Sequence, residues 1–188
     1  MTGENMWEWE ALENECKNCT KCELHKSRQN VVIDRGSRNA TLMFVGEAPG
    51  ANEDRMGKAF VGQAGKLLDL VCKGLGISEE EFYISNILKC RPPGNANPTD
   101  EQARLCMPYL KNQIELLKPK VIVLLGGQAL KHIIEGSSGI TRSRGNWTEL
   151  NGIPVMPTYH PAALLRDSSK KMDMWKDIKN AWIRLKNI

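Results

Sequence analysis

At 188 residues, with 41% hydrophobic and 26% charged side chains, the chain has the length and make-up of one compact domain, residues 1–188, able to bury a sizeable core. Its longest apolar runs, such as Val121–Leu125, are too short to cross a bilayer, and the acidic start MTGENMWEWEALENEC lacks the basic-then-apolar order of a secretory signal, so membrane insertion and export are set aside and a cytoplasmic protein is expected. A formal charge of +4 permits contact with a polyanion without requiring it.

In chain order, the first feature is a cysteine-bearing segment over about residues 1–28, where Cys16, Cys19 and Cys22 form two overlapping C-x-x-C pairs. A reducing compartment disfavours structural disulfides, so clustered cysteines there point to metal or redox chemistry. Thr41–Val45 is predicted as a strand and runs into Gly46-Glu47-Ala48-Pro49-Gly50. Gly65–Leu75 is predicted as a helix, with Leu67, Leu68, Val71 and Leu75 on one stripe. A second strand, Phe82–Ser85, ends at Asn86, and Cys90 follows in the next loop. Thr99–Leu117 opens on a Thr99-x-x-Gln102 capping box and carries Ala103, Cys106, Leu110, Ile114 and Leu117 at helical spacing. Val121–Leu125 is a third strand, ending at Gly126-Gly127, and Val155–Tyr159 a fourth, ending at His160-Pro161. Asp173–Leu185 reads as a closing amphipathic helix.

Strands alternating with helices indicate βαβ units and an α/β fold built on a mainly parallel, four-stranded sheet. In such sheets ligands bind outside the carboxyl ends of the strands, which is where the unusual polar segments fall. Residues from separate stretches of chain are therefore expected to converge on one site. Of the cysteines, Cys72 lies on the apolar side of its predicted helix and reads as a small core residue. Two more distant cysteines, Cys90 and Cys106, can join a C-x-x-C turn to close a four-thiolate site, and spacing alone leaves zinc and an iron–sulfur cluster equally open.

Five segments in order resemble family 4 uracil-DNA glycosylases, the iron–sulfur branch of the uracil-DNA glycosylase superfamily. They are Cys19-Thr20-Lys21-Cys22-Glu23-Leu24; Gly46-Glu47-Ala48-Pro49-Gly50 through Glu53-Asp54; Gly57-Lys58-Ala59-Phe60-Val61-Gly62-Gln63-Ala64-Gly65; Asn86-Ile87-Leu88-Lys89-Cys90-Arg91-Pro92-Pro93; and His160-Pro161-Ala162-Ala163-Leu164-Leu165-Arg166. The resemblance runs from about Cys19 to the C-terminus. It implies a three-layer α/β/α sandwich and an enzyme that flips uracil out of DNA and hydrolyses its N-glycosidic bond, releasing free uracil and leaving an abasic site. It also implies a [4Fe–4S] cluster held by Cys19, Cys22, Cys90 and Cys106, with Cys16 as a spare. The expected partner is uracil-containing DNA, single- or double-stranded, met by a monomer away from membranes.

Breaking that bond develops positive charge on the sugar and negative charge on the departing base. The resemblance puts Glu47 at the family's acidic position, where it would orient water and stabilise the sugar cation; the plainer reading is a solvated loop glutamate. His160 is the candidate donor to uracil O2, and its tautomer is not legible in the sequence. Asn86 carries the donor and acceptor that match O4 and N3–H of uracil, a pattern cytosine reverses. Phe60 would stack on the flipped base, and backbone groups of Glu47, Ala48 and Pro49 would complete the pocket. Leu164 and Leu165 occupy the place of the family's wedge loop, one of them filling the gap left in the duplex, with Arg166 and the Arg142-Ser143-Arg144-Gly145 loop near phosphates. The alternatives are a uracil-DNA-capturing relative and a non-catalytic iron–sulfur DNA-binding module. Arg91–Thr99 has no histidine and no insertion, against the first. The second has no need of Glu47, Asn86 and His160 together.

Overall fold

The computed structural model describes residues 8–188. Helix α1 (Trp9–Lys17) leads through a turn of 3-10 helix to the short strand β1 (Arg35–Gly36) and then β2 (Leu42–Gly46). Helices α2 (Ala51–Met56) and α3 (Gln63–Gly74) precede β3 (Phe82–Asn86), and α4 (Asp100–Leu117) precedes β4 (Val121–Leu125). Helices α5 (Gly127–Ile133) and α6 (Ile140–Ser143) then lead to a hairpin of β5 (Thr148–Leu150) and β6 (Ile153–Thr158). Helices α7 (Pro161–Arg166) and α8 (Lys171–Lys186) close the fold.

The strands form one sheet in the order β1-β3-β2-β4-β6-β5. Its four central members are parallel and correspond to the four strands expected from sequence. The expected count of four is corrected to six, because β1 and β5 add antiparallel edges. With two and three residues, these edges are too short to show an alternating pattern.

Alternation along the central strands sorts the core into two halves, one on each face of the sheet. Leu42, Phe44, Ile84, Val121 and Val123 pack with Leu68 and Cys72 of α3 and with Met174, Ile178 and Ala181 of α8. Met43, Val45, Tyr83, Ile122 and Leu124 pack with Ala103, Leu110 and Leu117 of α4 and with Leu130 of α5. Helices thus cover both faces, the three-layer α/β/α arrangement. A smaller cluster of Leu12, Cys16, Ile33 and Tyr109 seats α1 against α4.

Both helix forecasts drawn from caps and stripes agree with the structure. Thr99 Oγ1 accepts from the Gln102 backbone N–H at 3.1 Å, and the Gln102 side chain accepts from that of Thr99 at 3.1 Å. In α3, Leu68 is fully buried while Leu67 and Val71, with Leu75 just past the helix end, pack partly covered against the same core. From β2 the chain passes to β3 on one side, then crosses to β4 on the other. That reversal opens a crevice at the carboxyl ends of the strands. Among the described residues, no helix is long and apolar enough to cross a membrane.

Candidate active site

The crevice encloses roughly 550 Å³, enough for a nucleobase and part of its sugar. Glu47, Ala48 and Pro49 line it from the end of β2, Asn86 from the end of β3, and His160 from the end of β6. Phe60 enters from the loop before α3, and Leu165 and Arg166 stand at the rim on α7. The structure therefore brings together the carboxylate, amide, aromatic ring and imidazole that the sequence singled out.

Each is held by its own local device. Backbone bonds from Ile87 N–H to Gly46 C=O and from Leu88 N–H to Glu47 C=O, both 3.0 Å, lace the loops after β2 and β3 together. Glu47 is half-buried, and loss of water around its carboxyl raises its pKa above the ordinary carboxylate range. Asn86 is 2% exposed, and among the described residues its Oδ1 has no hydrogen-bond partner. A buried amide oxygen left unsatisfied costs about 1–3 kcal/mol, so a donor on a ligand entering the crevice would be strongly favoured there.

Phe60 sits in the left-handed region at φ 53°, an uncommon backbone state for a bulky residue. Two neighbours hold it there. The buried Arg35 guanidinium donates to the Phe60 carbonyl at 2.6 Å and is itself paired with Asp69. A side chain at Gly65 would stand 1.8 Å from the same carbonyl oxygen, so only glycine fits. The Phe60 ring lies 5.7 Å from that of His160, tilted by 37°.

His160 caps α7, its Nδ1 accepting the Ala162 backbone N–H at 3.1 Å, with Pro161 at the first helical position. Burial, and secondarily the charge of Arg166, lowers its pKa to about 4. The ring is therefore neutral near pH 7, and because Nδ1 spends its lone pair on Ala162, the proton belongs on Nε2. This settles the tautomer that the sequence left open. Gly126, at φ 95°, leaves room for the ring: a Cβ there would lie 2.9 Å from the Cβ of His160.

One expectation for the DNA-facing surface is corrected and another is narrowed. Leu164 is 1% exposed and packs in the core with α3 and α8, whereas Leu165 is 54% exposed. Neighbours on a helix point about 100° apart, so only Leu165 can meet a duplex. Arg144 is not a free surface charge, since its guanidinium is bound to Asp177 of α8.

Five of the six cysteines, Cys16, Cys19, Cys22, Cys90 and Cys106, line a second cavity between the N-terminal segment, the loop after β3 and α4. None forms a disulfide, and Cys72 packs in the core as expected. Arg28 donates to Cys90 Sγ at 3.2 Å, and the Lys89 backbone N–H donates to Cys106 Sγ at 3.4 Å. The buried Lys89 side chain also lines the cavity, and its Nζ donates to Ser85 Oγ and to the Asn86 carbonyl at 2.7 Å each. Soft sulfur donors, two of them met by N–H groups from Arg28 and from the Lys89 backbone, fit a thiolate-ligated cluster. Among the described residues, no three His, Cys, Asp or Glu side chains are arranged to hold a single metal ion.

Gly46, Gly65 and Gly126 fall in segments noted from sequence, but neither they nor Arg35 were given a role of their own. They act by holding or making room for backbone and rings, and no spacing signals that role.

A family model for the uracil DNA glycosylase superfamily matches residues 33–186. The chain is similar to the type-4 uracil-DNA glycosylase of Thermotoga maritima, 44% identical over 87% of this chain and 86% of that protein. It is similar also to the type-4 enzyme of Sulfurisphaera tokodaii, 42% identical over 90% and 81% of the two chains. A type-5 uracil-DNA glycosylase of Pyrobaculum aerophilum is 31% identical over 69% of this chain and 64% of its own. On the extent of these matches, the chain belongs to the uracil DNA glycosylase superfamily, in its type-4 branch.

Proposed function

We propose that this chain is a DNA-repair glycosylase that hydrolyses the bond between uracil and deoxyribose, leaving an abasic site. The observation that carries the reading is the orphaned Asn86 Oδ1, buried in the same crevice as the Phe60 ring, the His160 imidazole and the Glu47 carboxyl. A uracil flipped from the duplex would lie against Phe60. Its N3–H would satisfy Asn86 Oδ1, and its O4 would accept from the Asn86 amide nitrogen. Cytosine presents an acceptor at N3 and a donor at C4, so the same amide would meet it with both groups mismatched.

As the bond lengthens, charge gathers on uracil O2, where the Nε2–H of His160 would donate. A neutral donor suits this task because it strengthens its hydrogen bond without having to lose its proton. Glu47 on the sugar side would orient the attacking water and offset the cationic centre. Leu165 would fill the space vacated in the stack, with Arg166 at a phosphate.

The [4Fe–4S] cluster, when bound to Cys19, Cys22, Cys90 and Cys106, would supply covalent ties joining the N-terminal segment, the loop after β3 and α4. Lys89 connects that region to the uracil reader, through its neighbour Cys90 and its hydrogen bond to the Asn86 carbonyl. The reading is of one domain over residues 1–188, acting as a cytoplasmic monomer on single- or double-stranded uracil-DNA.

Incubation with uracil-containing DNA tests it. Free uracil and alkali-labile sites are expected, from a brown protein absorbing near ~400 nm. A stable protein–DNA adduct without uracil release would support a capturing relative instead, and an inert protein a binding module. A narrower test lies at Gly46, where an added Cβ would stand 2.5 Å from Asn86 Oδ1 and 2.6 Å from the Phe60 ring. Gly46→Ala is expected to cut excision by about 10²-fold, as a small misplacement at a reacting site does, with a modestly lower melting temperature from the overpacked strand end. Unaltered kinetics would remove Asn86 and Phe60 from the base pocket.

A further inference from the structure

Resting on the cluster reading above, the five-thiol cavity carries one more step. Cluster binding would use four thiolates, and Cys16 is the fifth thiol of the same wall. It is 1% exposed, whereas Cys19 and Cys22 are only partly covered. Among the described residues its sulfur has no hydrogen-bond partner, whereas those of Cys90 and Cys106 do. Cys16 occupies the last turn of α1, and the Cys19 backbone N–H donates to its carbonyl at 3.2 Å, so the two residues straddle the point where the helix ends. Both lie against Tyr109 of α4. Packing alone would be served at this place by any small apolar side chain. A thiol on the same cavity wall as four other cysteines can instead add a ligand.

We propose that Cys16 is a reserve cluster ligand that takes the iron held by Cys19 when that bond is lost. In the exchange one Fe–S bond to Cys19 breaks and one to Cys16 forms, while the Cys16 thiol proton passes to the departing Cys19 sulfur. The change is a ligand swap without oxidation or reduction. Cys19 is the one expected to be replaced, because it is adjacent across the helix end and partly exposed, whereas Cys90 and Cys106 sit on separate elements.

The test is iron and sulfide content, with the visible spectrum, of full-length protein purified without oxygen. Wild type, Cys16→Ala and Cys19→Ala are each expected to hold about four irons and four sulfides per chain. Cys16→Ala/Cys19→Ala and Cys22→Ala are expected to lose most of both. Cys19→Ala holding no more iron than the double variant overturns the proposal. Failure of both Cys19→Ala and Cys19→Ser to fold does so too, since an adequate substitute would have kept the cluster in place. A wild-type protein free of iron would instead defeat the cluster reading itself.

Discussion

Replacing His160 by alanine is expected to lower uracil excision by about 10²–10³-fold, the usual cost of removing one donor aimed at a developing anion. The loss should fall on kcat, because the donor is needed most when charge reaches O2. Two features of the structure make this a large effect. The ring is neutral across the working range, its pKa lowered to about 4, and Nδ1 is engaged by the Ala162 N–H, so Nε2 carries the only donor proton. The same geometry fixes the pH profile. His160 should give no limb near 6.5, whereas Glu47, raised by burial, should give an acid limb above the ordinary carboxylate range. Activity is then lost as pH falls through the Glu47 pKa, because the protonated carboxyl no longer orients water. Glu47→Gln should abolish that limb along with most of the rate. A limb near 6.5 that disappears in His160→Ala would show the imidazole titrating and would sink this assignment. Stability follows the same shift: an unfolded histidine takes up its proton near 6.5 and the folded one near 4, so stability falls as pH drops through that window.

The site was more legible in the sequence than its supports, and for a physical reason. Parallel strands buried on both faces read as short apolar runs, so the ends of β2, β3 and β6 could be located, and with them Glu47, Asn86 and His160. Arg35 looked like any basic residue before a strand. Its task, clamping the carbonyl of a left-handed Phe60, depends on a partner 25 positions away. The ion pair of Arg144 was hidden for the same reason, since Asp177 lies 33 residues on. Leu164 and Leu165 could not be told apart because α7 has only six residues, too few for a periodic stripe to say which faces the core. Local pattern reports burial and chain direction; it does not report which distant charge answers which.

Asp177→Ala is expected to cost substantial stability while touching no proposed substrate group. Asp177 is 2% exposed on α8, where its carboxylate accepts from Thr158 Oγ1 at 2.7 Å and from Arg144 Nε at 2.9 Å and Nη2. It thus fastens α8 and the loop after α6 to the end of β6, two residues before His160. Breaking a buried pair by deleting one partner typically costs about 3–5 kcal/mol, and the low end applies here because the Arg144 side chain is 21% exposed and can turn to water. For a chain of this length, about 3 kcal/mol corresponds to a melting temperature lower by roughly 6–12 °C. Asp177→Asn, which keeps a carbonyl acceptor for Thr158 or Arg144, should lose less. Well below its transition the alanine variant should keep near-normal kcat, because the lacing between β2 and β3, the Arg35 clamp and the Ala162 contact are all intact. A variant with unchanged melting temperature but a collapsed rate would mean that the Thr158–Asp177–Arg144 chain positions His160 for chemistry rather than holding the scaffold that presents it.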